Sequence, residues 1–316
     1  MKTKHLFFLL LFLFAFTPNY SQNIIRTQTS DSINYWAKKN TIGFDMNEIA
    51  FVNWSAGGNN AISGLIKGNF TREYKKGTTK WSNELIMRYG LNKQDGIEMR
   101  KTDDVFQFNS TLGYQNDTIS HWYHSAKFNF LTQFTNGYAY PNTTLAISKP
   151  FAPSYTFLGV GAEYINQKEK LNMYFSPMTF KNTLVLDQRL ANQGAFGVKG
   201  AEYDTNGNLI HEGRKSKTEL GFLTTAKYTA TVLKNINTEN RLALYTDYLN
   251  NFGNIDVMWQ LQTDMIVNEY IKANIGITLV YDDDVKTKKQ IDNQQVILGP
   301  KVQLKEMMGI GVNYNF

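Results

Sequence analysis

Met308-Gly309-Ile310-Gly311-Val312-Asn313-Tyr314-Asn315-Phe316 decides how this chain is read. Every second residue (Met308, Ile310, Val312, Tyr314, Phe316) is apolar, and those between are glycine or asparagine. Side chains on a strand alternate faces, so one face here is oily while the other could line a wet interior. A barrel of an outer membrane offers such a strand, ending on an aromatic residue, to its assembly machinery. Phe316 is expected to act as that assembly signal.

The same period of two recurs upstream between polar turns. Trp81, Asn83, Leu85, Met87, Tyr89 and Leu91 alternate with Ser82, Glu84, Ile86, Arg88 and Gly90. Near the other end, Ile271, Ala273, Ile275, Ile277, Leu279 and Tyr281 oppose Lys272, Asn274 and Thr278. About twelve strands are expected, near 42–54, 61–74, 80–93, 104–116, 121–136, 154–165, 170–177, 216–232, 240–250, 255–268, 270–282 and 300–316. Connections after even-numbered strands are short, and the long ones, near 92–103, 137–153, 178–215 and 283–299, all follow odd-numbered strands. Outer-membrane barrels segregate short periplasmic turns from long extracellular loops in this way. The expected fold is therefore an all-β, transmembrane, antiparallel up-and-down barrel over 41–316. Within 178–215, Thr205-Asn206-Gly207-Asn208 marks a further hairpin. Its arms fall short of the roughly 9–11 residues of a spanning strand, so it is expected to project outward; fourteen strands is the alternative.

The bulk numbers agree with a wall that is greasy on one side only: 42% hydrophobic, 19% charged, and 14% aromatic with 18 Tyr and 21 Phe. Girdles of Tyr, Trp and Phe at the two interfaces would use the aromatics. A soluble sandwich or lipocalin-like barrel would also alternate, but with its greasy face inward. The N-terminus favours export. Lys2 and Lys4 precede an apolar run from Leu6 to Phe16, about 11 residues against the roughly 20 of a spanning helix. A cleaved signal peptide is expected at 1–21 and a periplasmic lead-in at 22–40. The count of 0 Cys excludes a disulfide scaffold and a Cys-rich metal site, and it speaks against a lipoprotein anchor. Cleavage would lower the net charge from +6 by the two lysines lost, and the remaining basic residues form no block. Nucleic acid is not an expected partner.

Several local patterns together resemble one family. They are Asn53-Trp54-Ser55-Ala56-Gly57-Gly58, Lys101-Thr102-Asp103-Asp104, Thr132-Gln133-Phe134-Thr135-Asn136-Gly137-Tyr138 and Phe151-Ala152-Pro153-Ser154-Tyr155, then Ser176-Pro177, Tyr281-Asp282-Asp283-Asp284 and Val302 through Phe316. In order and spacing these resemble the Bacteroidetes outer-membrane barrels described as domain of unknown function 3078. The resemblance covers most of the chain after the leader. It implies a Gram-negative, surface-located barrel and brings no activity or catalytic residue with it.

Charges of both signs fall at positions expected to face the lumen: Lys67, Arg88, Lys127, Lys227, Arg241 and Lys272 against Glu84, Glu163, Asp256 and Asp264. In a narrow barrel they should pair, because an unpaired charge away from bulk water is costly. That predicts a largely blocked lumen rather than a wide porin channel. Asp103, Asp104, Asp282, Asp283 and Asp284 are weak candidates for calcium, since solvated loop ends account for them more readily and no regular ligand spacing is present. Trp54 and Gly57-Gly58 suit a tight outer hairpin. His121 and His124 lie three apart, a spacing that puts them on opposite faces of a strand and makes a shared metal difficult. Ser125 adjoins His124 but points the other way, and His211 stands alone; no catalytic triad is visible. The expectation is a single-copy structural or partner-binding component of the outer membrane, with no cofactor and not an enzyme. Its expected partners are outer-membrane lipid, the barrel assembly machinery and a further outer-membrane protein. Alternatives are a channel for a small or apolar molecule and a lipid- or glycan-modifying enzyme.

Overall fold

A computed structural model of the chain describes residues 34–50, 59–250, 252–291 and 294–316. Twelve antiparallel strands close into one barrel in which each is flanked by its neighbours in sequence, the last returning to the first. They are β1 (Trp36–Ile49), β2 (Ala61–Lys76), β3 (Thr79–Gln94), β4 (Ile97–Tyr114), β5 (Trp122–Thr132) and β6 (Ser154–Asn166). The second half is β7 (Leu171–Leu184), β8 (Ser216–Leu233), β9 (Ile236–Asp247), β10 (Asp256–Ile266), β11 (Ile271–Tyr281) and β12 (Gln303–Asn315). Closure satisfies the backbone groups that an open sheet edge would leave bare, a condition for crossing a lipid core.

The alternation resolves into an oily outside and a polar inside. Outward residues such as Leu158, Met308, Ile310 and Val312 are half or more exposed, with Ile310 at 62%. An apolar surface of that extent running round a wall is a lipid contact, not a water contact. The protein is an integral outer-membrane barrel. Aromatic rings collect at the short-turn end: Trp36 lies 5.3 Å from Tyr74 and 5.7 Å from Trp81, Trp122 lies 5.1 Å from Tyr164, and Tyr314 stacks on Phe316 at 5.6 Å. Such rings suit the headgroup level.

Four expectations on boundaries need correction. β1 begins at Trp36, so residues 36–40 of the expected lead-in belong to the wall. The expected loop at 92–103 is mostly strand: β3 and β4 run on to a tight turn at Asp95-Gly96, where Gly96 supplies a φ of 74°. Their ends carry Lys93, Gln94, Glu98 and Arg100 because they project past the membrane into water. β7 continues beyond Pro177 to Leu184, and β9 ends at Asp247, so the connection to β10 is longer than expected. The hairpin of Glu202–Tyr203 and Leu209–His211 is a separate two-stranded sheet and adds nothing to the wall. Trp54 and Gly57-Gly58 lie outside the described residues.

On the long-loop side the loops fold against one another. Ala152, Val185, Leu190, Ala191 and Val198 form a small buried core, with Ala195 and Phe196 packed on it. Asp187 caps the short helix Gln188–Asn192 by accepting from the Leu190 amide at 2.9 Å, and it pairs with Lys149 at 2.6 Å. The hydrogen bond from Lys149 holds the Asp187 carboxyl below its ordinary pKa. Three of the motifs that carry the family resemblance, Lys101–Asp104, Thr132–Tyr138 and Phe151–Tyr155, contribute to this cap. Asp104 accepts from the Phe134 amide (2.7 Å), the Thr135 amide (2.9 Å) and the Thr135 hydroxyl (2.7 Å), and pairs with Lys101 at 2.8 Å. Thr132 donates to the Pro153 carbonyl at 3.0 Å. Ser176 accommodates a bulge by donating to the carbonyls of Val160 and Met178.

Candidate functional site

The candidate site is the lumen. Glu84 sits mid-strand on β3 and Arg241 on β9, six places away round a twelve-strand ring, so their side chains meet only by crossing the interior. Arg241 Nη1 donates to Glu84 Oε2 at 3.1 Å and Nη2 to Oε1 at 3.0 Å, the fork-to-fork geometry in which guanidinium and carboxylate pair most strongly. Arg241 Nε donates to Glu239 at 2.6 Å, and Lys227 pairs with Glu239 at 3.0 Å. Asn69 and Asn109 donate to the two Glu84 oxygens, each at 3.1 Å. Each carboxylate oxygen of Glu84 and Glu239 has at least one donor, which is what makes charges tolerable there.

Further bridges span the lumen at other positions. Lys127 on β5 donates to Thr225 on β8 at 3.1 Å and lies 5.1 Å from the centre of the Tyr174 ring. Lys305 on β12 reaches Asp103 on β4 at 2.6 Å, where Arg88 also binds at 2.9 Å. At the outer mouth Lys181 lies among Asp256 (2.8 Å), Glu219 (3.5 Å) and Asp282 (4.0 Å). Lys67 pairs with Asp45 at 2.8 Å beside the β1–β12 seam. Gly311 makes room for that pair: a Cβ there would stand 1.9 Å from Asp45 Oδ1.

The strand registers place all ten lumen candidates, Lys67, Glu84, Arg88, Lys127, Glu163, Lys227, Arg241, Asp256, Asp264 and Lys272, on the inward face. Glu163 accepts from Asn172 at 2.8 Å, and Asp264 from Gln262 at 2.8 Å. Sequence reasoning missed Asp45, Lys181, Glu219, Glu239 and Lys305. The alternation of the expected strands could have found Asp45, Glu219 and Lys305, whereas Lys181 and Glu239 fell in expected connections. The grouping of Asp103 and Asp104 with Asp282, Asp283 and Asp284 does not hold. Asp103 serves Arg88 and Lys305 inside the lumen, Asp104 ties down the 133–135 loop, and Asp282 and Asp283 stand instead with Asp256. His121 contacts the Ile165 carbonyl at 3.0 Å, whereas His124 faces outward from β5. Ser125 lies inward, 3.5 Å from Glu163.

Residues 46–138 match the model of the family described as Protein of unknown function (DUF3078). A comparison with curated proteins finds no match. Among solved structures, the NanC porin is 11% identical, covering 88% of this chain and 99% of its own, with a TM-score of 0.37. An outer-membrane channel from Pseudomonas putida F1 is 9% identical over 91% of this chain and 100% of its own, at 0.39. The translocator domain of the autotransporter NalP from Neisseria meningitidis is 11% identical over 92% and 90%, at 0.35. Identities and TM-scores this low say nothing about what this chain does.

Proposed function

We propose that this outer-membrane barrel, matched over residues 46–138 by the DUF3078 family, is a structural or partner-binding component with a blocked lumen. It is not a diffusion pore and not an enzyme, and it works as a single barrel. One observation carries the reading: the Glu84–Arg241 bridge joins opposite walls and is itself held by three neighbouring side chains, Asn69, Asn109 and Glu239. An open porin of sixteen or more strands keeps a water column along its axis, whereas here side chains bond across the interior from one wall to the other. The surfaces left for work are the wall and the folded outer cap.

Co-purification tests this. Extraction in mild detergent should bring down a second outer-membrane protein in stoichiometric amount. Recovery of the barrel with no protein companion would count against partner binding. A second reading, a conduit for a small apolar molecule, draws on the seam. The pairing of β1 with β12 stops at Met46 and Ile310, although β1 continues to Ile49 and β12 begins at Gln303. A lipid recovered in stoichiometric amount with the barrel would favour that reading.

A further inference from the structure

At the outer mouth the charges do not balance. Five carboxylates, from Glu219, Asp256, Asp282, Asp283 and Asp284, gather round two ammonium groups. Lys181 serves Asp256, Glu219 and Asp282, while Lys217 pairs with Asp284 and stands 3.3 Å from Glu219. Asp283 receives only neutral help, from Asn254 Nδ2 at 2.7 Å. Among the described residues three negative charges remain in this cluster. One carboxylate oxygen each from Asp256, Asp282 and Asp283 lies within 4.8 Å of the others. Oxygens so spaced reach one ion at the 2.3–2.6 Å typical of calcium with side-chain shifts of at most a few tenths of an ångström.

A second observation is independent of the acids. Tyr245 is 4% exposed, and its hydroxyl has no hydrogen-bond partner in the protein. The ring leans over Gly221, where a Cβ would stand 2.8 Å from Tyr245 Cε2 and Cζ. On β8 the next inward residue toward the outside is Glu219, so the hydroxyl end leads into the cavity that Glu219, Asp256 and Asp283 line. A buried hydroxyl without a partner carries a desolvation cost that an ordered water removes. A hydrated cation brings such a water.

We propose that Asp256, Asp282 and Asp283 bind a calcium ion at the outer mouth of the lumen, with a metal-bound water facing Tyr245. Calcium suits the place better than magnesium. It accepts irregular oxygen shells, and the ligands come from the start of β10 and the segment after β11 rather than from a rigid octahedral cage. The ion neutralises two of the three surplus charges and ties the exit of β11 to β10.

Calcium chloride alone, titrated calorimetrically into the chelator-stripped full chain in detergent micelles, tests this. Folding is checked by heat-modifiable mobility on gels. The expected result is one saturable site, with Kd on the order of 10⁻⁴–10⁻³ M as in extracellular modules. Asp283→Asn should weaken it at least about tenfold, as is usual for loss of a charged ligand at a site tuned by ligand charge, and Glu98→Gln, on a distant hairpin, should not. Should Asp283→Asn fail to fold, Asp282→Asn takes its place. No saturable binding by the folded wild-type barrel overturns the proposal, as does wild-type affinity in a folded Asp283→Asn or Asp282→Asn variant.

Discussion

Arg241→Ala is expected to lower the unfolding free energy of the barrel by about 3–5 kcal/mol. The guanidinium donates to both Glu84 oxygens and to Glu239. Removing it leaves two carboxylates in a confined lumen with Lys227 and Lys127 as the nearby counter-charges. Neither partner is solvent-exposed enough for water to take over, since the side chains of Arg241 and Glu84 are 25% and 18% exposed. The double variant Arg241→Met, Glu84→Leu should recover most of the loss, because replacing a buried pair by apolar groups of similar size removes the desolvation cost along with the attraction. Urea unfolding in micelles, followed by tryptophan fluorescence, measures both. A loss under about 1 kcal/mol in the single variant would mean that the pair behaves as a surface salt bridge in an open, water-filled lumen.

The second large effect lies on the other face of the wall. Leu158 points outward from β6 between Phe128 and Phe180, six residues along the strand from the girdle residue Tyr164. That rise puts it near the middle of the hydrocarbon layer. Leu158→Arg should cost about 2–4 kcal/mol, as charged groups do at the midplane of such barrels. Leu209→Arg, in the projecting hairpin, should stay within about 0.5 kcal/mol, since that side chain is exposed outside the wall. If Leu158→Arg were neutral or improved solubility without detergent, the apolar face would not meet lipid.

Much of the fold was legible because a barrel wall repeats one local rule. Alternation marked twelve strands, and the order in which they close into the barrel followed from it. The strand ends were harder to read. Lys93, Gln94, Glu98 and Arg100 read as loop, because a strand that leaves the membrane sheds its apolar face while keeping its ladder. Pro177 reads as a terminator, yet it sits at a bulge where no ladder hydrogen bond is lost, so β7 goes on to carry Lys181. That is why Lys181 was missed.

The lumen residues were legible as a set but not as pairs. Which face each occupies follows from the period of two. Which partner each meets depends on ring closure and on how strands stagger round the barrel, quantities that no single strand contains. Glu84 and Arg241 are 157 residues apart, and Lys305 and Asp103 are 202. The acids at the mouth show the same limit. Asp103-Asp104 and Asp282-Asp283-Asp284 look alike as text, but the barrel sends the first pair to lysines and loop amides and brings Asp256 to the second.

The blocked lumen is tested most directly by recording current across a planar lipid bilayer that holds the purified full-length barrel. With side chains bonded from wall to wall, the membrane should stay silent on the nanosiemens scale. Stable steps of that size, reproducible from one insertion to the next, would contradict the account.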